Sequence, residues 1–337
     1  MKKASLVVSD FYSNNKIFDV DDAGVNRDGC LSFFYELKMS FRKRGYDLAT
    51  SDIHFPMDSD VVLYNEMPAV LPEGRKCAQS FLLLYESVLV RPDNWDSDRH
   101  KRFNRIFTWN DGLVDHDRYF KFNFCHEFPS AINRSLKSEK KLCTLIAGNK
   151  KASHELELYS KRREAIDWFE KNHLCDFDFY GLGWDKFYFS GSKFFRALNR
   201  FPLLGEFFAP KLKSYKGTIS TKREVLERYQ FSICYENARD IPGYITEKIF
   251  DSFFAGCVPV YWGADNVEEH IPRECFIDRR EFPGYAELYD YLQRMTDARY
   301  VEYLDSIESF LLSSASEPFR SGGVAEHVVE TILDAQS

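Results

Sequence analysis

The sequence predicts an α/β protein made of two domains, each built on a parallel sheet. Residues 231–263, FSICYENARDIPGYITEKIFDSFFAGCVPVYWG, read as strand, turn, helix and strand in succession. Short apolar runs recur along the amino-terminal third of the chain and alternate with loops and helical pieces, as the strands of an open parallel sheet do. A chain of 337 residues with 44% hydrophobic content can bury two such cores.

Taken in order, residues 5–9 form the first expected strand and 31–44 the helix behind it, with Phe33, Phe34, Leu37 and Phe41 on its apolar face and Gly45 as its stop. Further strands are expected at 61–64, 81–85 and 106–109. Residues 127–141 carry Pro129 and the polar run SLKSEKK, the best interdomain linker in the chain. The domains are accordingly placed at 1–138 and 139–337. In the second, 142–146 opens a sheet, 154–172 is a helix and 176–181 a strand. Closing helices at 285–295, 300–312 and 324–335 complete that domain.

The βαβ unit carries the chemistry. Its first strand ends at Tyr235, Pro242-Gly243 breaks the chain, and Ile249, Phe250, Phe253 and Phe254 lie on one side of the helix that follows. Ligands of such units sit beyond the carboxyl ends of the strands, where a helix amino terminus offers N–H groups and partial positive charge to phosphate. Tyr244, Glu247 and Lys248 fall at that end. Lys248 would neutralise a diphosphate and Glu247 accept from sugar or ribose hydroxyls, although the helix dipole alone favours a glutamate there. Asn237 either caps its own turn or touches the ligand. In the helix over 154–172 the inward stripe is Tyr159, Arg162, Ile166 and Phe169, and an arginine on such a stripe either meets an anion or snorkels to water.

Formal charge is −7, which argues against a general nucleic-acid binder. Eight scattered cysteines without a Cys-x-x-Cys pair read as reduced thiols, several of them buried. The amino terminus reads as a strand and not as a signal peptide, and no transmembrane span is apparent. Three Asp-x-Asp triplets, at Asp19/Asp21, Asp58/Asp60 and Asp96/Asp98, follow no convincing apolar strand, and His54, His126 and His270 show no ligand spacing. No catalytic metal is expected.

The stretch CYENARDIPGYITEKIFDSFFAGCVPVYWG closely resembles the signature of the family 10 glycosyltransferases, the α-1,3/1,4-fucosyltransferase group, and the similarity is strongest over 216–278. The resemblance implies a GT-B fold of two Rossmann-like domains facing each other across a cleft, GDP-fucose as donor, inversion at the anomeric carbon and no required metal or other cofactor. It assigns the diphosphate to an arginine of the helix over 154–172, here Arg162 or its neighbour Arg163, with stripe position favouring Arg162. Lys248, Glu247, Tyr244 and Asn237 complete the donor set. In SFLLLYESV, Glu86 follows an apolar strand, and its Glu-Ser resembles that of family members, which makes Glu86 the expected general base. The family's Golgi members carry an amino-terminal anchor that is absent here, so a bacterial cytoplasmic enzyme is expected, acting on an oligosaccharide or lipid-linked glycan of a surface polysaccharide. The basic and aromatic segment 190–217 either touches the inner face of the membrane or packs on a neighbouring domain or subunit. A transferase for another GDP-deoxy-sugar and a non-catalytic glycan-binding protein are the competing readings.

Overall fold

The computed structural model describes residues 1–335 apart from 136, 188, 190–192, 194–196, 202–204, 206 and 207. The first sheet has six parallel strands, β1 (Lys2–Val7), β2 (Tyr46–Thr50), β3 (Val61–Asn65), β4 (Ser80–Leu84), β5 (Arg105–Thr108) and β6 (Tyr119–Lys121), in the order β2-β1-β3-β4-β5-β6. Parallel strands covered on both faces carry continuous apolar runs, and Leu82, Leu83 and Leu84 are fully buried accordingly. Helix α1 (Ser32–Lys43) returns the chain from β1 to β2 and buries Phe33, Phe34, Leu37 and Phe41.

The chain leaves this sheet through residues 122–140 and builds a second one. Its elements are β7 (Lys141–Ile146), α2 (Tyr159–Asn172), β8 (Phe177–Tyr180), β9 (Tyr229–Tyr235), α3 (Glu247–Phe254), β10 (Val258–Trp262) and β11 (Ile277–Asp278), and the parallel strands run in the order β11-β10-β9-β7-β8. Val258 to Trp262 pair in step with Phe231 to Tyr235, so the predicted βαβ unit is present as read. In both sheets the second strand lies outside the first and the third on its other side. Each sheet therefore has a topological switch point, β1/β3 in one and β7/β9 in the other.

Helices α4 (Tyr285–Arg294) and α5 (Asp297–Leu312) pack on the second core through Leu288, Leu292, Leu304 and Ile307. The final helix, α6 (Ser321–Asp334), does not close the second domain as expected. It crosses back, and Val324, Ala325, Val328, Val329 and Ile332 join Phe33, Leu37 and Phe41 in the first core. An apolar stripe marks a helix for burial, but both sheets offer an apolar face to receive it. Cys143, Cys234, Cys257 and Cys275 are buried free thiols, whereas Cys30 and Cys175 are exposed.

One flank holds the domains together. Trp109 and Tyr244 pack ring to ring at 4.5 Å, and Asp111 accepts from Asn266 Nδ2 at 2.8 Å and lies 2.7 Å from His270 Nε2. Gly243 sits at φ +79°, where a Cβ would lie 2.2 Å from the carbonyl oxygen of Trp109, so this approach requires glycine. Nearer the cleft, the Lys222 amide donates to Asp28 Oδ1 at 2.9 Å. Much of 190–217 lies outside the described residues, including most of its FFRALNRFPLLGEFF stretch. Among the described residues no helix is long and apolar enough to cross a membrane.

Candidate active site

A cavity opens at each switch point. The first, of 1460 Å³, is lined by Val8 and Ser9 beyond β1 and by Asn65 and Glu66 at the end of β3. The second, of 720 Å³, lies between Ala147 and Gly148 beyond β7 and Tyr235 and Asn237 at β9. Glu86, Lys222, Glu247 and Asp251 line both, so the two spaces adjoin along one wall.

The second cavity gathers most of the predicted donor residues: Arg162, Asn237, Tyr244, Glu247 and Lys248 all line it. Arg162 is buried on α2, where its Nε and Nη2 donate to the Tyr235 carbonyl at 3.2 and 2.7 Å and Nη2 also donates to Asn237 Oδ1 at 3.0 Å. Burial pulls its pKa down, with Glu236 acting in the other direction. Asn237 joins the donor residues to one another, since its Nδ2 also reaches the Tyr244 hydroxyl at 3.4 Å. Arg163 stands apart. One turn position away it faces solvent, paired with Asp167 at 2.9 Å and set over the Trp184 ring, and it lines neither cavity. Of the two adjacent arginines, only Arg162 lines the cavity.

Lys248 lies at the start of α3 with Nζ 2.8 Å from Thr246 Oγ1, 3.1 Å from Glu236 Oε2 and 3.5 Å from Glu247 Oε1. Burial works to lower its pKa, but Glu236 and Glu247 outweigh it and the lysine is held charged. Burial likewise opposes the charge on Glu247, and Lys248 and Lys222 overcome it, keeping the carboxylate ionised. Lys222 in turn pairs with Asp251 at 2.7 Å and Glu247 at 3.4 Å. The wall is therefore an alternating lattice of half-buried charges in which Glu236 alone is fully buried, held together before any ligand arrives.

Glu86 follows β4. Its amide donates to Glu66 Oε1 at 2.8 Å and its carbonyl accepts from Trp95 Nε1 at 3.1 Å. Burial raises the carboxyl pKa, partly countered by Lys150 and Lys248. A carboxylate raised in this way at the meeting of two cavities suits proton abstraction.

Four residues that the sequence reading left unassigned complete the picture. Glu236 is fully buried and accepts from the Thr246 amide and hydroxyl at 2.8 and 2.6 Å. Lys150 and Lys222 bring positive charge from the loop after β7 and from the short helix Lys222–Leu226. Glu66 ends β3 as Glu86 ends β4, and burial pushes its carboxyl up to about 7. A strand-end carboxylate in VVLYNEM was the available signal. The close passage of the loops after β7 and β8, where a Cβ on Gly181 would meet the Ala147 carbonyl at 1.9 Å, had only its glycines to announce it.

None of the three Asp-x-Asp triplets lines either cavity, and the Asp96 carboxylate is spent capping a helical turn by accepting from the Asp98 amide at 3.0 Å. Among the described residues no group of three or more His, Cys, Asp or Glu is gathered as a metal site.

Residues 194–319 match the family model described as glycosyltransferase family 10 (fucosyltransferase), C-terminal. The α-(1,3)-fucosyltransferase FucT of Helicobacter pylori is 35% identical over 75 residues, which is 22% of this chain and 16% of that protein. An α-(1,4)-fucosyltransferase of Arabidopsis thaliana is 36% identical over 80 residues, 23% of this chain and 20% of that one. The matched stretch thus spans about a fifth or less of these relatives. A crystal structure of an α1,3-fucosyltransferase with GDP-fucose superposes at a TM-score of 0.56 and 14% identity, over 98% of this chain and 90% of that one. That likeness extends the shared architecture to both domains. Both doubly wound domains thus share the GT-B arrangement, and residues 194–319 carry the C-terminal domain of glycosyltransferase family 10.

Proposed function

We propose that the protein is an inverting fucosyltransferase that moves L-fucose from GDP-fucose to a hydroxyl of a glycan acceptor without a metal ion. The observation that carries this reading is the position of Glu86, which lines the cavity of the first domain and that of the second at once. GDP-fucose would occupy the second cavity, with its diphosphate facing Arg162, Lys248 and the amino terminus of α3, while Glu247, Tyr244 and Asn237 order its sugar and ribose. The acceptor would enter through the first cavity.

In the reaction the acceptor oxygen attacks the anomeric carbon from the face opposite the phosphate. The bond from that carbon to the diphosphate oxygen breaks and GDP leaves with the electron pair. Glu86, ionised, takes the proton of the attacking hydroxyl. Charge grows on the departing diphosphate, and the fixed positions of Arg162 and Lys248 stabilise it without reorganising. The name of the H. pylori relative favours an α-1,3 linkage, and a surface glycan precursor in a bacterial cytoplasm is the setting we infer from the same resemblance. Incubation with GDP-fucose and a panel of oligosaccharides, alongside other GDP-deoxy-sugars, tests the reading. Transfer from GDP-fucose is expected; selective use of another GDP-sugar, or binding without turnover, contradicts it.

A further inference from the structure

We propose that Glu66 is a positioning residue for the transfer: its carboxylate fixes the main chain of Glu86 and thereby sets where the Glu86 side chain meets the acceptor hydroxyl. The inference rests on the reading of Glu86 as the base.

Glu66 occupies the left-handed region at φ +76°, a conformation in which a glutamate is strained and which persists only where surrounding contacts enforce it. Its amide donates to the Leu83 carbonyl at 3.0 Å, and its side-chain contacts lead to Glu86. One oxygen of Glu66 accepts from the Glu86 amide at 2.8 Å, and the other accepts from Asn94 Nδ2. Asn94 is fully buried, and its Nδ2 also lies 3.4 Å from the Glu86 carbonyl oxygen, to which Trp95 Nε1 donates at 3.1 Å. The main-chain amide and carbonyl of Glu86 are thus both tied, the amide by Glu66 directly and the carbonyl through Asn94 and Trp95. Among the described residues no hydrogen bond or ion pair ties the side chain of Glu86, which is aimed by its main chain, so a shift there moves the reacting oxygen.

The orientation of Asn94 is fixed as well, because its Oδ1 accepts from the Met67 amide at 2.9 Å. Nδ2 must therefore face Glu66, and the ionised Glu66 carboxylate accepts at both oxygens. A glutamine in place of Glu66 would set one donor against another whichever way its amide turned. Shape is preserved in such a variant, while the hold on Glu86 or on Asn94 is lost.

The test uses release of fucose from radiolabelled GDP-fucose into water, with water as the nucleophile, so that no acceptor need be known. A misplacement of the order of an ångström costs about 10²-fold in rate, so Glu66→Ala and Glu66→Gln are expected to lower kcat about 10- to 100-fold. KM for GDP-fucose and GDP affinity should stay within about twofold, since neither nucleotide nor phosphate meets Glu66 in this account. The decisive arm is the double variant. Added to Glu86→Gln, Glu66→Ala should cost about twofold or less, because a residue that acts through Glu86 has nothing left to position. Trp95→Phe, which removes only the indole donor to the Glu86 carbonyl, should lower kcat in the same direction and serves if the Glu66 variants fail to fold. Single-variant rates within twofold of wild type, or losses that multiply undiminished in the Glu86→Gln background, overturn the inference and leave the proposed function standing. A wild-type protein that neither binds GDP nor releases fucose overturns both.

Discussion

Lys248 Nζ lies 3.1 Å from a carboxylate oxygen of Glu236, and that glutamate has no exposed surface. The lysine proposed to meet the donor diphosphate is thus also the counter-ion of a buried carboxylate. Replacing it by alanine should do two separable things. Stability should fall by about 3–5 kcal/mol, the usual consequence of stranding one partner of a buried pair. GDP affinity should fall as well, by about tenfold or more, for loss of a charge-assisted phosphate contact. Adding Glu236→Gln to Lys248→Ala should recover much of the stability and none of the affinity, as read by urea unfolding and calorimetry. Wild-type GDP affinity in Lys248→Ala would remove Lys248 from the donor site.

Arg162 and Arg163 are neighbours in sequence with opposite expected phenotypes. Arg162→Ala should weaken GDP binding by about tenfold or more, because a guanidinium held by the Tyr235 carbonyl and Asn237 is already oriented for its ligand. Arg163→Ala removes a half-exposed pair with Asp167 and should change stability by about 0.5 kcal/mol or less and GDP affinity not at all. A GDP titration of both variants that ranked them the other way would refute the assignment.

Helical periodicity placed Arg162 on the buried stripe with Tyr159, Ile166 and Phe169, and the structure has those four side by side on the inner face of α2. Periodicity fails where neither period nor length is available. β2, YDLAT, and β6, YFK, are short and broken by charge, and they are strands because β1 and β5 supply hydrogen-bond partners, a non-local cause. The destination of α6 was hidden for a similar reason, since its stripe says only that it is buried. Glu236 and Glu66 were overlooked although each follows an apolar strand, as Glu86 does. What distinguishes them is their partners in space, Thr246 and Lys248 for one, the Glu86 amide and Asn94 for the other.

Two half-buried groups predict opposing pH dependences of stability. Burial pushes Glu66 up to about 7 from an ordinary 4.5, against the hydrogen bonds from Glu86 and Asn94, with Glu86 adding to the rise and Arg91 opposing it. Between those values the folded protein holds a proton that the unfolded chain has released, so this group's contribution falls as pH rises. Burial pushes His126 down to about 4 from an ordinary 6.5, with Glu247 acting to raise it and Lys222 to lower it. Below 6.5 the unfolded chain takes up a proton that the folded protein refuses, so this contribution falls as pH drops. Glu66→Gln removes the first and leaves the second. Relative to wild type, the variant should lose up to about 3 kcal/mol more stability on going from pH 8 to pH 5. Urea denaturation at the two pH values checks this; parallel behaviour of the two proteins would mean that Glu66 titrates normally.

Chelation should leave transfer unchanged. Arg162, Lys248 and the N–H groups at the start of α3 are the charges proposed to stabilise the leaving diphosphate, work that a divalent ion performs where one is present. Activity lost in EDTA and restored by manganese would contradict this part of the account.

The most direct test of the whole account is the rate of Glu86→Gln with saturating GDP-fucose and acceptor. Glutamine keeps the shape and hydrogen-bonding reach of the side chain and the main-chain ties to Glu66 and Trp95, but it cannot accept the proton. The account predicts a fall in kcat of about 10²- to 10⁴-fold, the usual worth of general base catalysis, with GDP affinity hardly altered. A variant that retains more than about a tenth of wild-type turnover would show that Glu86 is not the base.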